Sequence, residues 1–228
     1  NRVEHQFFRA PDGTLTEPED LRLVPGPFDS TDYAARLKAL YTAGRWSVQK
    51  YCIRRSFLVQ SGVRFLPDCV WGGDWPFDLE LLLRCERLYF LDTVFIHCRS
   101  GRQGSPLTDA QSLPRRFRSL AAAQRRLATL SATGAADAAA YAAMLDAAAD
   151  VFWPQARTAA VRDASVRRAC LPYLAQLRPL CPHGTEVRTR RDWRLFQRLM
   201  ATFGPRFTLW AFSLRKDFPG EAPSPVVG

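Results

Sequence analysis

The residue best suited to acid–base chemistry is Asp74, in the stretch "VWGGDWPFDLELLLRC" that covers residues 70–85. It follows two glycines and precedes a Trp-Pro pair, and an apolar helical stretch begins directly afterwards. A carboxylate near a helix N-terminus is favoured in its ionised form and can act as a general base. The structural alternative is that Asp74 only caps the following helix.

A second candidate site is the loop "RSGRQGS" at residues 99–105. Arg99 and Arg102 stand among glycines and serines, with Ser105 at its end. Two guanidinium groups and nearby backbone N–H groups can surround an oxyanion. The pattern therefore indicates an anion-binding loop, and the alternative is an exposed surface loop without a ligand.

The sequence predicts no metal site in this chain. No Asp-x-Asp pair occurs, and the i, i+4 spacing of Asp74 and Asp78 is typical of a helix face. Cys181 and His183 lack a second ligand pair at zinc spacing. None of the six cysteines forms a Cys-x-x-Cys pair, so we expect reduced thiols and a cytoplasmic protein.

The net charge of +10 belongs entirely to the second part of the chain. Residues 1–100 hold 13 basic and 13 acidic side chains, whereas residues 101–228 hold 19 basic and 9 acidic ones. Within that part, residues 188–218 interleave arginines with aromatic residues. Such a segment suits an anionic membrane surface or a docking surface, and the structural alternative is that its rings pack in the core. No nucleic-acid-binding module accompanies it, so nucleic acid is not the expected partner.

The first 108 residues predict a mixed α/β region. Residues 3–15 contain a Pro-Asp-Gly turn and predict a hairpin, and a Pro-rich connection follows. Capping residues and periodicity predict helices at 30–44 and 76–86, and a strand is expected to turn into a helix at Arg55. Further strands are expected at 63–65 and 87–99, the latter buried.

Residues 109–228 predict a helical, basic region. Helical patterns cover 112–130, 134–153, 157–177 and 190–204, and Leu120, Leu127 and Leu130 share one apolar face. No apolar run is long enough to span a bilayer, and no signal peptide is evident. The chain begins with Asn, which is expected of an excerpt from a longer protein.

Between residues 40 and 108 several short elements occur in a familiar order. They are Trp46, Lys50-Tyr51, Arg54-Arg55-Ser56-Phe57-Leu58, Gly62-Val63-Arg64-Phe65, Gly73-Asp74, and the arm with Arg99, Arg102 and Ser105. This order resembles the C-terminal half of family-2 glycosyltransferases of the GT-A fold, of the bacterial polysaccharide type. The resemblance implies a partial GT-A-like mixed sheet over about residues 1–108, forming the acceptor side of the enzyme.

The resemblance also implies roles for the candidate residues. Asp74 would be the general base of an inverting transfer from a nucleotide-sugar to a glycan or lipid-linked acceptor. Gly72 and Gly73 would let a sugar approach the backbone, and Trp75 would pack against a sugar face. Arg99, Arg102 and Ser105 would contact the donor diphosphate, whose departure requires positive charge.

Two departures from the family pattern limit what this chain alone can do. The first acid of the usual Glu-Asp pair is Gly73, and the nucleotide-binding donor half is absent. We therefore expect Mg²⁺ or Mn²⁺ only together with a donor half upstream. The expected location is the cytoplasm, at the inner face of the membrane if the basic tail docks there. The alternative function is a non-catalytic binding or membrane-docking module with a basic aromatic C-terminal surface.

Overall fold

The computed structural model describes residues 8–9, 15–16, 26–42, 52–85, 87–90, 113–183 and 191–214. These residues are mostly helical, with a small amount of antiparallel sheet. The chain divides into two compact units. Unit 1 comprises Asn1–Arg64, Phe77–Ser105 and Val227–Gly228, and unit 2 comprises Phe65–Pro76 and Pro106–Val226. The segment that contains Asp74 thus belongs to the helical unit rather than to the N-terminal one.

The strands of unit 1 form two separate two-stranded sheets. Strand β1 (Phe8–Arg9) pairs antiparallel with β2 (Leu15–Thr16), which confirms the hairpin predicted around the Pro-Asp-Gly turn. Strand β3 (Gly26–Asp29) pairs antiparallel with β4 (Arg87–Phe90). Sequence analysis missed β3, because its residues lie in the Pro-rich segment that predicts a connection.

Among the residues that the structure describes, the strand prediction at 63–65 is wrong, and the one that begins at residue 87 is confirmed as a strand but not as fully buried. Residues 63–65 form no strand, and β4 is not fully buried, because Arg87 and Tyr89 are exposed. All described strand pairs are antiparallel, so the larger mixed sheet is not found in this part of the chain. Residues 91–99, where the predicted strand continues, lie outside the described residues.

Unit 1 also contains helix α1 (Tyr33–Thr42), helix α2 (Arg55–Ser61) and most of helix α3 (Asp74–Arg84). The carboxylate of Asp32 accepts the Ala34 N–H at 2.9 Å and so caps α1, as the sequence predicts. From α1, the Tyr33 hydroxyl donates to Leu79 O at 3.1 Å, and Arg36 donates to Leu82 O at 3.1 Å. These two bonds fix α1 against α3, and burial raises the pKa of the Tyr33 hydroxyl above its usual value.

Unit 2 contains four long helices: α4 (Leu113–Ala132), α5 (Ala138–Ala160), α6 (Ala164–Gln176) and α7 (Arg191–Ser213), with a short 3₁₀ helix at Arg178–Leu180. Asp137 caps α5 by accepting the Ala140 N–H, and Asp163 caps α6 by accepting two backbone N–H groups. The mainly helical character predicted from residue 109 onward is confirmed. The single helix predicted over 157–177 is wrong, because α5 ends at Ala160 and Asp163 begins a new helix.

The core of unit 2 combines small and aromatic side chains. Alanines at 121–123 on α4 and 147–149 on α5 are buried, as are Leu120, Leu127 and Leu130 on the predicted apolar face. A second part of the core is an aromatic cluster, in which neighbouring ring centroids lie 5.0–6.2 Å apart; it consists of Phe117, Phe152, Trp153, Trp193, Phe196 and Phe212. Three aromatic residues of the basic segment, Trp193, Phe196 and Phe212, therefore pack in the core.

Helix α7 is interrupted at Gly204, which adopts φ 76° and ψ 180°. This conformation is accessible essentially to glycine alone. Pro205 follows directly and lacks the N–H that a continuous helix needs. The break separates α7 into two helical pieces, of which the second carries both buried and exposed aromatic residues.

Candidate functional site

Asp74 is the first residue of α3. Sequence analysis placed it before the helical run, and the structure moves the helix start onto Asp74 itself. The side chain is half-buried, and it is the acidic residue in the first turn of α3. Placement of the carboxylate at the N-terminal end of a helix is therefore confirmed.

The two glycines before Asp74 make a turn that larger residues would disturb. Gly72 has φ 59°, in the left-handed region that favours glycine. A Cβ atom on Gly73 would lie 3.0 Å from the backbone oxygen of Cys69, closer than such contacts normally are. Because that neighbour is backbone, it cannot move aside as a flexible side chain would. A side chain at position 73, where the resembled family has Glu, would therefore fit only if this backbone shifted by a few tenths of an ångström.

The segment that leads to Asp74 is attached to α4 through Ser119. The Ser119 hydroxyl accepts the Trp71 N–H at 3.1 Å, and its backbone oxygen lies 3.5 Å from the Cys69 thiol. The same thiol lies 3.6 Å from Trp71 O. Ser119 is completely buried, so these contacts are shielded from water. They fix the backbone immediately before the Gly72-Gly73 turn.

Two arginines of α4 make further contacts with the same segment. The Arg116 guanidinium lies over the Trp71 ring at 5.4 Å, and it donates to Gln155 Oε1 at 3.0 Å on α5. Arg118 pairs with Asp68 at 3.5 Å, but both side chains are well exposed. An exposed ion pair contributes little to stability, so the buried Arg116 is the more important of the two. Helix α4 thereby positions the segment from Asp68 to Trp71.

Burial raises the pKa of the Cys69 thiol to about 11, with the negative charge of Asp74 adding to the effect and the hydrogen bond with Ser119 opposing it. The thiol is therefore neutral at physiological pH. A neutral thiol is a poor nucleophile and metal ligand.

Trp75 is buried, with only 3% of its surface exposed. Its ring lies under the backbone of Gly72, where an added Cβ would approach the ring edge at 3.2 Å. Its indole N–H has no hydrogen-bond partner among the described residues. Contact between a sugar and this ring would require the ring to become exposed, and that role stays a prediction.

The structure brings together Gly72, Gly73, Asp74 and Trp75 of the predicted site. Arg99, Arg102 and Ser105 lie outside the described residues, as do Trp46, Lys50 and Tyr51 of the family pattern. Arg54 and Arg55, at the start of α2, are exposed. The proposed anion-binding loop therefore stays a prediction.

Sequence analysis missed several residues that shape α3 and its surroundings. Asp78 and Glu80 are 2% and 5% exposed, and the helical pattern of residues 76–86 does not indicate their burial. The i, i+4 spacing was a signal that Asp78 lies on the same side of α3 as Asp74, in a helix that is otherwise rich in apolar residues. No local signal identifies Ser119, which is distant from Trp71 in the sequence.

The Cys181-Pro-His183 segment has structural partners within unit 2. His183 Nδ1 lies 3.3 Å from an Asp146 carboxylate oxygen, and His183 O accepts the Trp193 indole N–H at 3.1 Å. Gln197 donates to Cys181 O. Among the described residues, no three His, Cys, Asp or Glu side chains are grouped so as to hold a metal ion. The helices of that part of the chain also include none with the length and apolarity to cross a bilayer.

Comparison with known proteins adds no relative to this description. The chain matches no protein-family model, no curated protein and no solved structure.

Proposed function

We propose that this chain is the acceptor-side part of an inverting glycosyltransferase, which moves a sugar from a nucleotide-sugar to a glycan or lipid-linked acceptor. The observation that carries the proposal is the half-buried carboxylate of Asp74 at the first residue of α3. It follows a two-glycine turn whose backbone is attached to α4. Positioned general bases need this combination of fixed backbone, ionised carboxylate and access for a substrate.

In the proposed reaction, an acceptor hydroxyl attacks the anomeric carbon of the donor sugar. A new C–O bond forms on one face, while the bond from that carbon to the diphosphate breaks on the other face. The diphosphate leaves with the electron pair, and the acceptor proton passes to an Asp74 carboxylate oxygen. Attack from the face opposite the leaving group inverts the anomeric configuration.

The other parts of the proposal rest on the resemblance. Arg99, Arg102 and Ser105 would contact the leaving diphosphate, and Gly72 and Gly73 would let the sugar approach the backbone closely. Mg²⁺ or Mn²⁺ would belong to the donor half, as the resemblance implies.

Substitution of Asp74 in a full-length protein that carries the donor half tests the proposal. Asp74→Asn keeps the size of the side chain but cannot accept the hydroxyl proton, so the transfer rate should fall by about 10²–10⁴. Thermal stability should change little. The assay supplies a panel of UDP-, GDP- and dTDP-sugars with octyl glycosides as acceptors, and quantifies the new glycoside by mass spectrometry.

Asp68→Asn is the matched control, because Asp68 is an exposed carboxylate in the same segment. It should retain the transfer rate of the unmodified protein. If Asp74 only caps α3, Asp74→Ala should lower the stability by about 0.5–2 kcal/mol while the folded protein keeps its activity. Near-normal transfer by Asp74→Asn, or no transfer by the unmodified protein with any donor, would contradict the proposal.

A further inference from the structure

One side of α7 carries large apolar residues that are exposed: Phe203, Phe207, Trp210 and Leu214, called here the outer α7 face. Their exposed fractions are 59%, 39%, 52% and 61%. Phe207, Trp210 and Leu214 are three and four residues apart, which places them along one side of the second piece of α7. The centroids of the Phe203 and Phe207 rings lie 4.7 Å apart, and those of Phe207 and Trp210 lie 5.4 Å apart. The rings thus form one continuous surface.

This surface is not a misplaced part of the core. The second piece of α7 already has a core-facing side, made of Thr208, Leu209 and Phe212, each at most 1% exposed. A surface helix normally has one apolar side and one polar side. Here both sides are apolar, so the outer α7 face is in excess of what packing within unit 2 requires. Contiguous exposed apolar surfaces of this kind mark interaction sites.

The charges around the outer α7 face favour a negatively charged partner. Arg206 is exposed beside Phe207, and Arg191, Arg194 and Arg198 are exposed on the first piece of the helix. Asp192 is the one acidic residue within Arg191–Ser213. A second copy of this chain docking through the same face would bring like charges together, which disfavours a dimer. Exposed aromatic rings with flanking arginines are instead typical of helices that lie in the headgroup region of anionic bilayers.

The geometry points to docking of the outer α7 face on an anionic membrane surface. Phe203, Phe207 and Trp210 would enter the headgroup region, with Leu214 continuing the contact. Arg206 would pair with lipid phosphates at the same level. Phe203 before the break at Gly204 and Phe207 after it are in ring contact, so the surface continues across the break. This inference is independent of the role proposed for Asp74, because it concerns other residues and another measurement.

Vesicle binding by the full chain tests the inference. The chain should co-sediment with vesicles of phosphatidylcholine and phosphatidylglycerol at a 7:3 ratio, and bind much less to phosphatidylcholine alone. Phe207→Ala/Trp210→Ala should weaken binding by about tenfold or more, because two rings leave the bilayer contact. Arg206→Glu should weaken binding to the anionic vesicles only. High salt should weaken the binding of the unmodified chain.

Val161→Ser is the matched control, because Val161 is an exposed apolar residue elsewhere in unit 2. It should bind vesicles like the unmodified chain. Circular dichroism and thermal melting of each variant report that the fold is intact, which we expect because the altered side chains are exposed. Equal binding to both vesicle types, or unchanged binding by Phe207→Ala/Trp210→Ala, would overturn the inference. It would also be overturned if light scattering showed a dimer that the double variant dissociates, since the face would then serve self-association.

Discussion

Removal of the Ser119 hydroxyl is the sharpest test of how α4 positions the segment before Asp74. In Ser119→Ala, the Trp71 N–H loses the acceptor that now lies 3.1 Å away. A buried donor left without a partner costs about 1–3 kcal/mol, and because Trp71 is only partly buried we expect about 1–2 kcal/mol. With a urea slope of about 2 kcal/mol/M, the unfolding midpoint should fall by about 0.5–1 M.

Ser131→Ala is the control, because Ser131 lies near the end of the same helix and is less buried. Its effect should stay within about 0.5 kcal/mol. Amide hydrogen exchange adds a local measurement. The exchange rate of the Trp71 N–H should increase in Ser119→Ala and stay unchanged in Ser131→Ala. Equal midpoints for both variants, with Trp71 exchange as in the unmodified chain, would refute the positioning of this segment by Ser119.

Three further predictions test the packing of unit 2. Gly73→Glu, which introduces the acid found in the resembled family, should lower the melting temperature, because its Cβ would lie 3.0 Å from Cys69 O. Gly134→Ala is a comparison that measures the separate cost of a positive φ at a position with no near neighbour. An unchanged melting temperature for Gly73→Glu would show that the turn adapts. Burial raises the pKa of Cys69 to about 11 and those of Cys170 and Cys181 to about 12. As the pH rises above 9, these thiols therefore lose their protons in the unfolded chain before they do so in the folded one. The free energy of unfolding should accordingly decrease with increasing pH above 9. Native alkylation with iodoacetamide at pH 8, read by mass spectrometry, should modify exposed Cys52 before these three, and equal labelling of all four would contradict their burial.

The helices of unit 2 could be predicted because their signals are local. The spacing of Leu120, Leu127 and Leu130 identifies a face that the structure buries. The break between α5 and α6 also had a local signal, since Asp163 is a strong capping residue followed by Ala and Ser. The break was missed because the apolar pattern continues through it, and the prediction followed that helical periodicity rather than the capping residue.

The surroundings of Asp74 could be predicted only in part. Two glycines and a following apolar run indicate a carboxylate at a helix start, which the structure confirms. The attachment of this segment to α4 depends on Ser119 and Arg116, whose partners are separated from them by dozens of residues. Similarly, Asp78 is buried by packing that a helical pattern alone does not reveal. Contacts between distant parts of a chain leave no periodic signal in the sequence.

The buried alanines of α4 and α5 have a thermodynamic consequence. Alanine has no side-chain rotamers to lose on folding, whereas burial of a long side chain costs about 0.5–2 kcal/mol in conformational entropy. The alanines at 121–123 and 147–149 therefore contribute close helix packing without that cost. They also bury little apolar surface, and the heat-capacity change of unfolding scales with that surface. Each ring of the aromatic cluster around Trp153 and Trp193 therefore contributes more to this unit's heat-capacity change than a buried alanine does.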